Sequence, residues 1–150
     1  MTQVAGITGN ADIDLSKRGL VAMCADNGVV EEGVTQTGQE VTAIVAENFL
    51  RYDTSVGVMC KQNHAEIFPV DMGMVTDTKV RTDHKVAYGT QNMTKGPAMT
   101  REQAIKGIEA GIAMVEELKN KGYKILATGE MGIGNTTTRV RWLLYCWISR

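Results

Sequence analysis

The stretch Ile125-Leu126-Ala127-Thr128-Gly129-Glu130-Met131-Gly132-Ile133-Gly134-Asn135-Thr136-Thr137-Thr138 is a short apolar run that breaks into a loop rich in glycine and hydroxyl groups. Glycine lets backbone N–H groups approach a ligand closely, and the threonines offer hydroxyls and a helix start. A strand, a glycine turn and a helix N-terminus in that order can cradle an anion, because unpaired amides and the positive end of the helix dipole converge there. Two familiar cradles are excluded. No lysine follows Lys124, so a Walker loop is missing its Gly-Lys-Ser/Thr end, and the glycines run G-x-x-G-x-G rather than G-x-G-x-x-G. Glu130 would repel a dianion unless it faces another group of a substrate. The same spacing also suits an ordinary strand-to-helix turn with a capping threonine, and spacing alone leaves both readings open.

A second apolar run, Gly19-Leu20-Val21-Ala22-Met23-Cys24-Ala25, has the continuous character of a strand buried on both faces of a parallel sheet. Ligands of open α/β sheets sit beyond the carboxyl ends of strands, which makes Asp26, Asn27 and Gly28 candidates for a site. The alternative is a turn in which Asp and Asn cap local backbone. Ile67-Phe68-Pro69-Val70 repeats the arrangement, ending in Asp71 and Gly73, and Pro69 argues for an edge position or a strand start.

Helices are expected between these strands. Val41, Ile44, Val45, Asn48 and Phe49, with Leu50 beside them, recur at helical spacing over 39–52. Glu40 complements the dipole there, while Gln39 stands at the loop edge, able to point toward a ligand. Residues 54–61 are compatible with a further helical segment. The clearest helix covers 100–121: Thr100 and Gln103 form a capping box, and Ala104, Ile105, Ile108, Ile112, Val115 and Leu118 make one apolar stripe. Lys119 and Lys121 lie at its end and Gly122 stops it. Residues 76–99 form a long loop that offers the basic groups Arg81 and Lys85. Met1 to Arg18 shows no clear period. Alternating strands and helices make a right-handed, mostly parallel α/β sheet the economical architecture.

Composition narrows the function classes. With 150 residues, 43% hydrophobic and 22% charged, one domain with a proper core is expected. A net charge of −1 leaves no electrostatic footprint for nucleic acid or an anionic membrane. Cys24, Cys60 and Cys146 lack CxxC spacing, which suits reduced thiols in the cytoplasm better than a disulfide framework or a metal site. Asp12 and Asp14 stand where a secretory signal would be basic and then apolar, and no run approaches the ~18–20 apolar residues of a membrane helix. His64 and His84 are isolated in polar surroundings without paired ligand spacing, so surface or turn roles are expected. The nine methionines are spread across the elements as core filler.

Six ordered blocks carry a family resemblance. They are Ala25-Asp26-Asn27-Gly28-Val29-Val30 with Gly33-Val34-Thr35, Gln39-Glu40-Val41-Thr42, Asp71-Met72-Gly73, Gly89-Thr90-Gln91-Asn92-Met93, Pro97-Ala98-Met99-Thr100, and Thr128 through Thr137. In order and spacing, over roughly residues 4–138, the chain resembles nicotinate-nucleotide:dimethylbenzimidazole phosphoribosyltransferase. The resemblance implies an enzyme of cobalamin nucleotide-loop assembly that takes nicotinate mononucleotide and 5,6-dimethylbenzimidazole to α-ribazole 5′-phosphate and nicotinate. It implies a doubly wound α/β domain with a small helical domain, a homodimer, small-molecule substrates, and no cofactor or metal, since the leaving pyridinium is already activated. By similarity, the loop residues Gly129, Gly132, Ile133, Gly134, Asn135, Thr136 and Thr137 would hold the nucleotide's phosphate and Glu130 would face the reacting end. Thr35 and Gln39 would line the benzimidazole pocket, with Asp26 at its floor.

The chain also departs from the family. Members are roughly twice this length, carry a helical region before the point matching Val4, and place their general base, a glutamate, in a C-terminal half outside this chain. The fold is therefore expected to be incomplete. Asn27 stands where His is usual, and Gly38 where Pro precedes Gln-Glu. After Thr138 the family continues in small apolar residues, whereas here Arg139-Val140-Arg141-Trp142-Leu143-Leu144-Tyr145-Cys146-Trp147-Ile148-Ser149-Arg150 follows, with both tryptophans of the chain. Were Val140 to Trp147 encoded GTG CGG TGG CTT CTG TAC TGC TGG, reading from two bases later would give Ala-Val-Ala-Ser-Val-Leu-Leu, the kind of helix the family places there. Residues 1–138 are accordingly expected to be a partial nucleotide-binding domain, and 139–150 an aberrant, frameshifted tail. The alternative to an active transferase is a catalytically incompetent remnant or phosphate-binding module. A generic NAD-dependent enzyme would need the dinucleotide fingerprint that is absent.

Overall fold

A computed structural model of the chain describes residues 2–148. In chain order the elements are α1 (Thr2–Thr8), β1 (Arg18–Ala25), a 3₁₀ turn (Gly28–Glu32), α2 (Glu40–Arg51), α3 (Ser55–Gln62), β2 (Ala65–Gly73), α4 (Arg101–Asn120), β3 (Ile125–Met131) and α5 (Asn135–Ile148). The three strands form one parallel sheet in the order β2-β1-β3. The continuous apolar run of β1 thus occupies the centre, where both faces are covered and polar residues would be stranded.

Alternation along β1 divides its side chains between two cores. Ala22 and Cys24 pack with Ala46 and Phe49 of α2, Cys60 of α3 and Ile67 of β2. Val21 turns the other way and packs with Val70, Met114 and Leu118 of α4, and Tyr123. Helices therefore cover both faces, as a doubly wound α/β fold requires. The chain leaves β1 for the α2 side and β2 for the α4 side, so the direction of winding reverses where the carboxyl ends of these adjacent strands meet. Pro69 lies on edge strand β2. Asp71, two residues on and pointing the same way, donates its N–H to the Arg81 carbonyl at 2.8 Å on the outer side, so the donor that Pro69 lacks faces away from β1.

Three expectations are corrected. The segment without clear period before β1 contains α1, a short helix that buries no side chain. The buried face of α2 is Thr42, Ala43, Ala46 and Phe49, while Ile44 points to solvent, because small residues let this helix approach the sheet closely. In α4 the capping box forms as expected, with Gln103 N–H 3.2 Å from Thr100 Oγ1 and Thr100 N–H 2.9 Å from Gln103 Oε1. Its sheet-facing row, however, is Ala110, Met114 and Leu118. Ile105, Ile108, Ile112 and Val115 are 44–67% exposed. The helix carries two apolar rows on different sides, and the sheet covers one of them.

The loop after β2 is tied down by its own cations. Lys85 Nζ lies 3.1 Å from carboxylate oxygens of both buried Asp71 and exposed Asp77, and 3.8 Å from the centre of the Tyr88 ring. Burial pulls the Lys85 ammonium down, but the bonds to Asp71 and Asp77 outweigh it and hold its pKa above the usual value. Arg81 pairs with Asp83 at 2.5 Å and with Glu117 of α4 at 2.6 Å. The basic groups anticipated as ligand contacts are spent inside the fold.

Burial, with the Asp71 charge adding to it, pushes the Cys24 thiol up to about 12, and burial raises Cys60 as well. A thiolate-selective reagent at pH 8 is expected to modify Cys146 alone in the native protein, and Cys24 and Cys60 only in denaturant. Peptide mass mapping of labelled chains checks this.

Candidate functional site

Pairing of Cys24 with Met131 sets the carboxyl ends of β1 and β3 side by side, so Ala25, Asp26 and Asn27 run beside the glycine loop. Their closeness explains the glycines. A Cβ on Gly132 would stand 2.2 Å from the Ala25 carbonyl oxygen and 3.0 Å from Asn27 Nδ2. Gly134 has φ +86°, and a Cβ there would come within 2.9 Å of Val30. Gly28 is pressed against Thr90–Asn92, with 2.5 Å from its notional Cβ to the Thr90 oxygen.

The loop then turns into α5. The Asn135 N–H donates to the Gly132 carbonyl at 3.0 Å and closes the turn. As in the first turn of any helix, the amides of Thr136 and Thr137 lack the regular intrahelical acceptor, and the positive end of the 14-residue α5 begins at this loop. Ile133 is held through both of its peptide groups. Its N–H donates to Thr42 Oγ1 at 3.1 Å and its carbonyl accepts from Asn27 Nδ2 at 3.2 Å. Asn27 Oδ1 in turn accepts the Thr138 hydroxyl at 3.2 Å.

The remaining candidate residues take individual places. Glu130 is exposed near the end of β3, and its carboxylate accepts a hydrogen bond from the Asn135 side chain, which sets it beside the start of α5 rather than across the loop. Gly129 sits within β3, paired with Ala22. Asp26 is fully buried. Its Oδ2 accepts the Val75 N–H at 2.8 Å, while among the described residues Oδ1 has no hydrogen-bond partner. Gln39 Nε2 donates to the Asn27 carbonyl at 3.1 Å, bringing Gln39 to the loop's support. Thr35 makes a local contact, accepting the Thr37 N–H at 3.3 Å.

Two features escaped the sequence reading. Thr42 stands in the block Gln39-Glu40-Val41-Thr42, but nothing in its spacing shows that its hydroxyl, buried in the fold, bonds outside α2. Buried Asn92 donates to Glu32 at 2.6 Å, and Lys95 pairs with Glu31 at 2.7 Å, pinning the 3₁₀ turn to the loop that carries Thr90. The Lys95 and Asn92 hydrogen bonds hold Glu31 below the usual carboxylate range, and Asn92 and Thr94 do the same for Glu32. Behind Ala25, an apolar cavity of about 390 Å³ opens between Gly73 of β2, Gly89 of the long loop, and Ala104 and Gly107 of α4. Neither Thr35 nor Gln39 lines it. Among the described residues no cluster of three or more His, Cys, Asp or Glu is placed to hold a metal ion, and no helix is long and apolar enough to cross a membrane.

A strand-to-helix glycine loop at the carboxyl end of a parallel sheet is common to many nucleotide enzymes, so comparison with known proteins decides between them. A family model described as phosphoribosyltransferase matches residues 1–146. The chain belongs to this phosphoribosyltransferase family. The nicotinate-nucleotide–dimethylbenzimidazole phosphoribosyltransferase of Clostridium tetani is 48% identical over 138 residues, covering 91% of this chain and 38% of that protein. The protein of the same name from Ruminiclostridium cellulolyticum is 49% identical over 138 residues, covering 91% of this chain and 39% of that one. The crystal structure of CobT from Thermus thermophilus superimposes with a TM-score of 0.83 at 36% identity, over 90% of this chain and 41% of that one. The family resemblance and the α/β architecture expected from the sequence both hold. The chain spans about two fifths of the length of the relatives it matches.

Proposed function

We propose that this chain supplies the phosphate-binding part of a phosphoribosyltransferase that joins nicotinate mononucleotide to 5,6-dimethylbenzimidazole, releasing nicotinate and α-ribazole 5′-phosphate. The observation that carries the reading is the loop between β3 and α5, where Gly132 is required by contact with Ala25 of β1 and Gly134 by its positive φ and its approach to Val30, leading straight into a helix N-terminus, in a chain whose relatives bear that enzyme's name. The attacking nitrogen of the base forms a bond to the ribose carbon as the bond to nicotinate breaks, with inversion, so the site must anchor the phosphate, align two rings and take one proton. The amides of Thr136 and Thr137 serve the phosphate. Glu130 lies beside them toward the reacting end, and Asp26, Thr35 and Gln39 belong to the side that receives the base. The proton goes to a glutamate of the family's other half. Assembly is as a homodimer in the cytoplasm.

A second reading is a module that binds the nucleotide without turnover. Its tail from Arg139 belongs to that reading as a frameshifted segment, supported by α5, no side chain of which is buried. Of the tail, Ser149 and Arg150 lie outside the described residues. Titration calorimetry with nicotinate mononucleotide, run beside a chromatographic assay for α-ribazole 5′-phosphate, separates the readings. Binding without product favours the module, product formation favours the transferase, and no binding defeats both.

A further inference from the structure

Ile133 is the point at which the glycine loop is gripped, and the grip comes from elements far away in sequence. Thr42 is fully buried on α2, where a hydroxyl is costly unless it finds a partner. It accepts the Ile133 N–H at 3.1 Å, and α2 itself is anchored to the sheet through Ala46 and Phe49. From the other side Asn27, at the end of the central strand, donates to the Ile133 carbonyl and accepts the Thr138 hydroxyl, both at 3.2 Å. The Asn27 peptide is steadied in turn by Gln39.

We infer that Thr42 and Asn27 are positioning residues that set the affinity of this site for a phosphate-bearing ligand by clamping the Ile133 peptide between them. The inference rests on the phosphate reading of the loop. With glycine on either side of it, Ile133 has neighbours that give the backbone wide freedom, and a loop left free would have to be ordered by each ligand that binds. The clamp supplies that order in advance. It also fixes the direction of the first α5 turn, since Thr138 is bound to the same Asn27 side chain. Neither residue needs to touch the ligand.

The test uses the full chain, two ligands and one exchange measurement. Thr42→Val keeps shape and removes the acceptor, Thr42→Ser keeps the acceptor, and Asn27→Leu removes the second arm. Titrations with nicotinate mononucleotide and with its phosphate-free nucleoside are compared. Thr42→Val is expected to weaken the mononucleotide about tenfold, the size of one lost hydrogen bond, and Asn27→Leu, which removes two, by at least as much, each changing nucleoside binding less than about twofold. Thr42→Ser is expected to bind like the unaltered protein. Equal losses for both ligands, or a Thr42→Ser variant as weak as Thr42→Val, overturn the inference.

Amide hydrogen exchange at Ile133 needs no ligand. Its protection is expected to fall in Thr42→Val and to remain in Thr42→Ser, and unchanged protection in Thr42→Val overturns the clamp. An unaltered protein that binds both ligands alike defeats the phosphate reading instead, while the exchange measurement still decides whether the clamp exists.

Discussion

Replacing Gly132 by alanine is expected to eliminate measurable binding of nicotinate mononucleotide. The added Cβ would lie 2.2 Å from the Ala25 carbonyl oxygen, about 1 Å or more inside ordinary contact, and 3.0 Å from Asn27 Nδ2. Ala25 closes the central strand, which is bonded on both sides, so the sheet does not yield and the loop must. A displaced loop loses the Thr42 and Asn27 bonds to Ile133 and turns the first amides of α5 away from the phosphate. Stability falls too, by about 1–3 kcal/mol on the scale of overpacked sites. Gly111→Ala is the matched control. Nothing lies within 4 Å of its added Cβ, and in the interior of α4 it is expected to gain about 0.5–1 kcal/mol with binding untouched. Calorimetric titration and a thermal melt on both variants give the comparison, and an unchanged affinity for Gly132→Ala would refute the assignment of the loop.

The largest loss of stability is expected from Asp71→Ala. This carboxylate is fully buried at the end of β2, where Oδ1 accepts the N–H groups of Gly73 at 2.9 Å and Met74 at 2.7 Å, and Oδ2 faces Lys85 Nζ at 3.1 Å. Truncation strands two buried amides and leaves a nearly buried ammonium with one remaining carboxylate, Asp77. Breaking a buried pair from one side costs about 3–5 kcal/mol, a third or more of the stability of a typical domain. For a chain of this size that is a fall in Tm on the order of 10 °C. Asp71→Asn keeps an acceptor for the amides and should lose about half as much. Adding Lys85→Met to Asp71→Asn should cost less than the sum of the two changes, because each then lacks a charged partner to strand. A denaturant midpoint for Asp71→Ala within about 1 kcal/mol of the unaltered protein would show that water or a neighbour replaces the carboxylate.

Much of the fold is legible because its signals are local. The apolar run 19–25 has no polar side to offer water, so it becomes the central strand. Thr100 and Gln103 start α4 where their side chains can cap it, and Gly122, with φ +85°, follows its end. Local signals also explain the errors. Helical period identifies an amphipathic helix but not which of two apolar rows meets the sheet, and in α4 the β-branched row, Ile105 to Val115, is the one left outside. In α2, alanines and a threonine are a weak hydrophobic signal, yet small size is what close packing on β1 selects.

At the site the division follows the same line. The glycines of 129–134, the carboxylate at Glu130 and a helix start close behind them, expected at the threonines and found at Asn135, were legible in the sequence, since backbone freedom and turn chemistry act between near neighbours. What holds them is tertiary. Thr42 and Asn27 reach Ile133 across 91 and 106 residues of chain, and the need for glycine at 132 comes from the Ala25 carbonyl of another strand. Sequence spacing carries no term for contacts between separate elements. Only the parallel pairing of β1 with β3, and the packing of α2 against them, turns a flexible glycine turn into a fixed cradle.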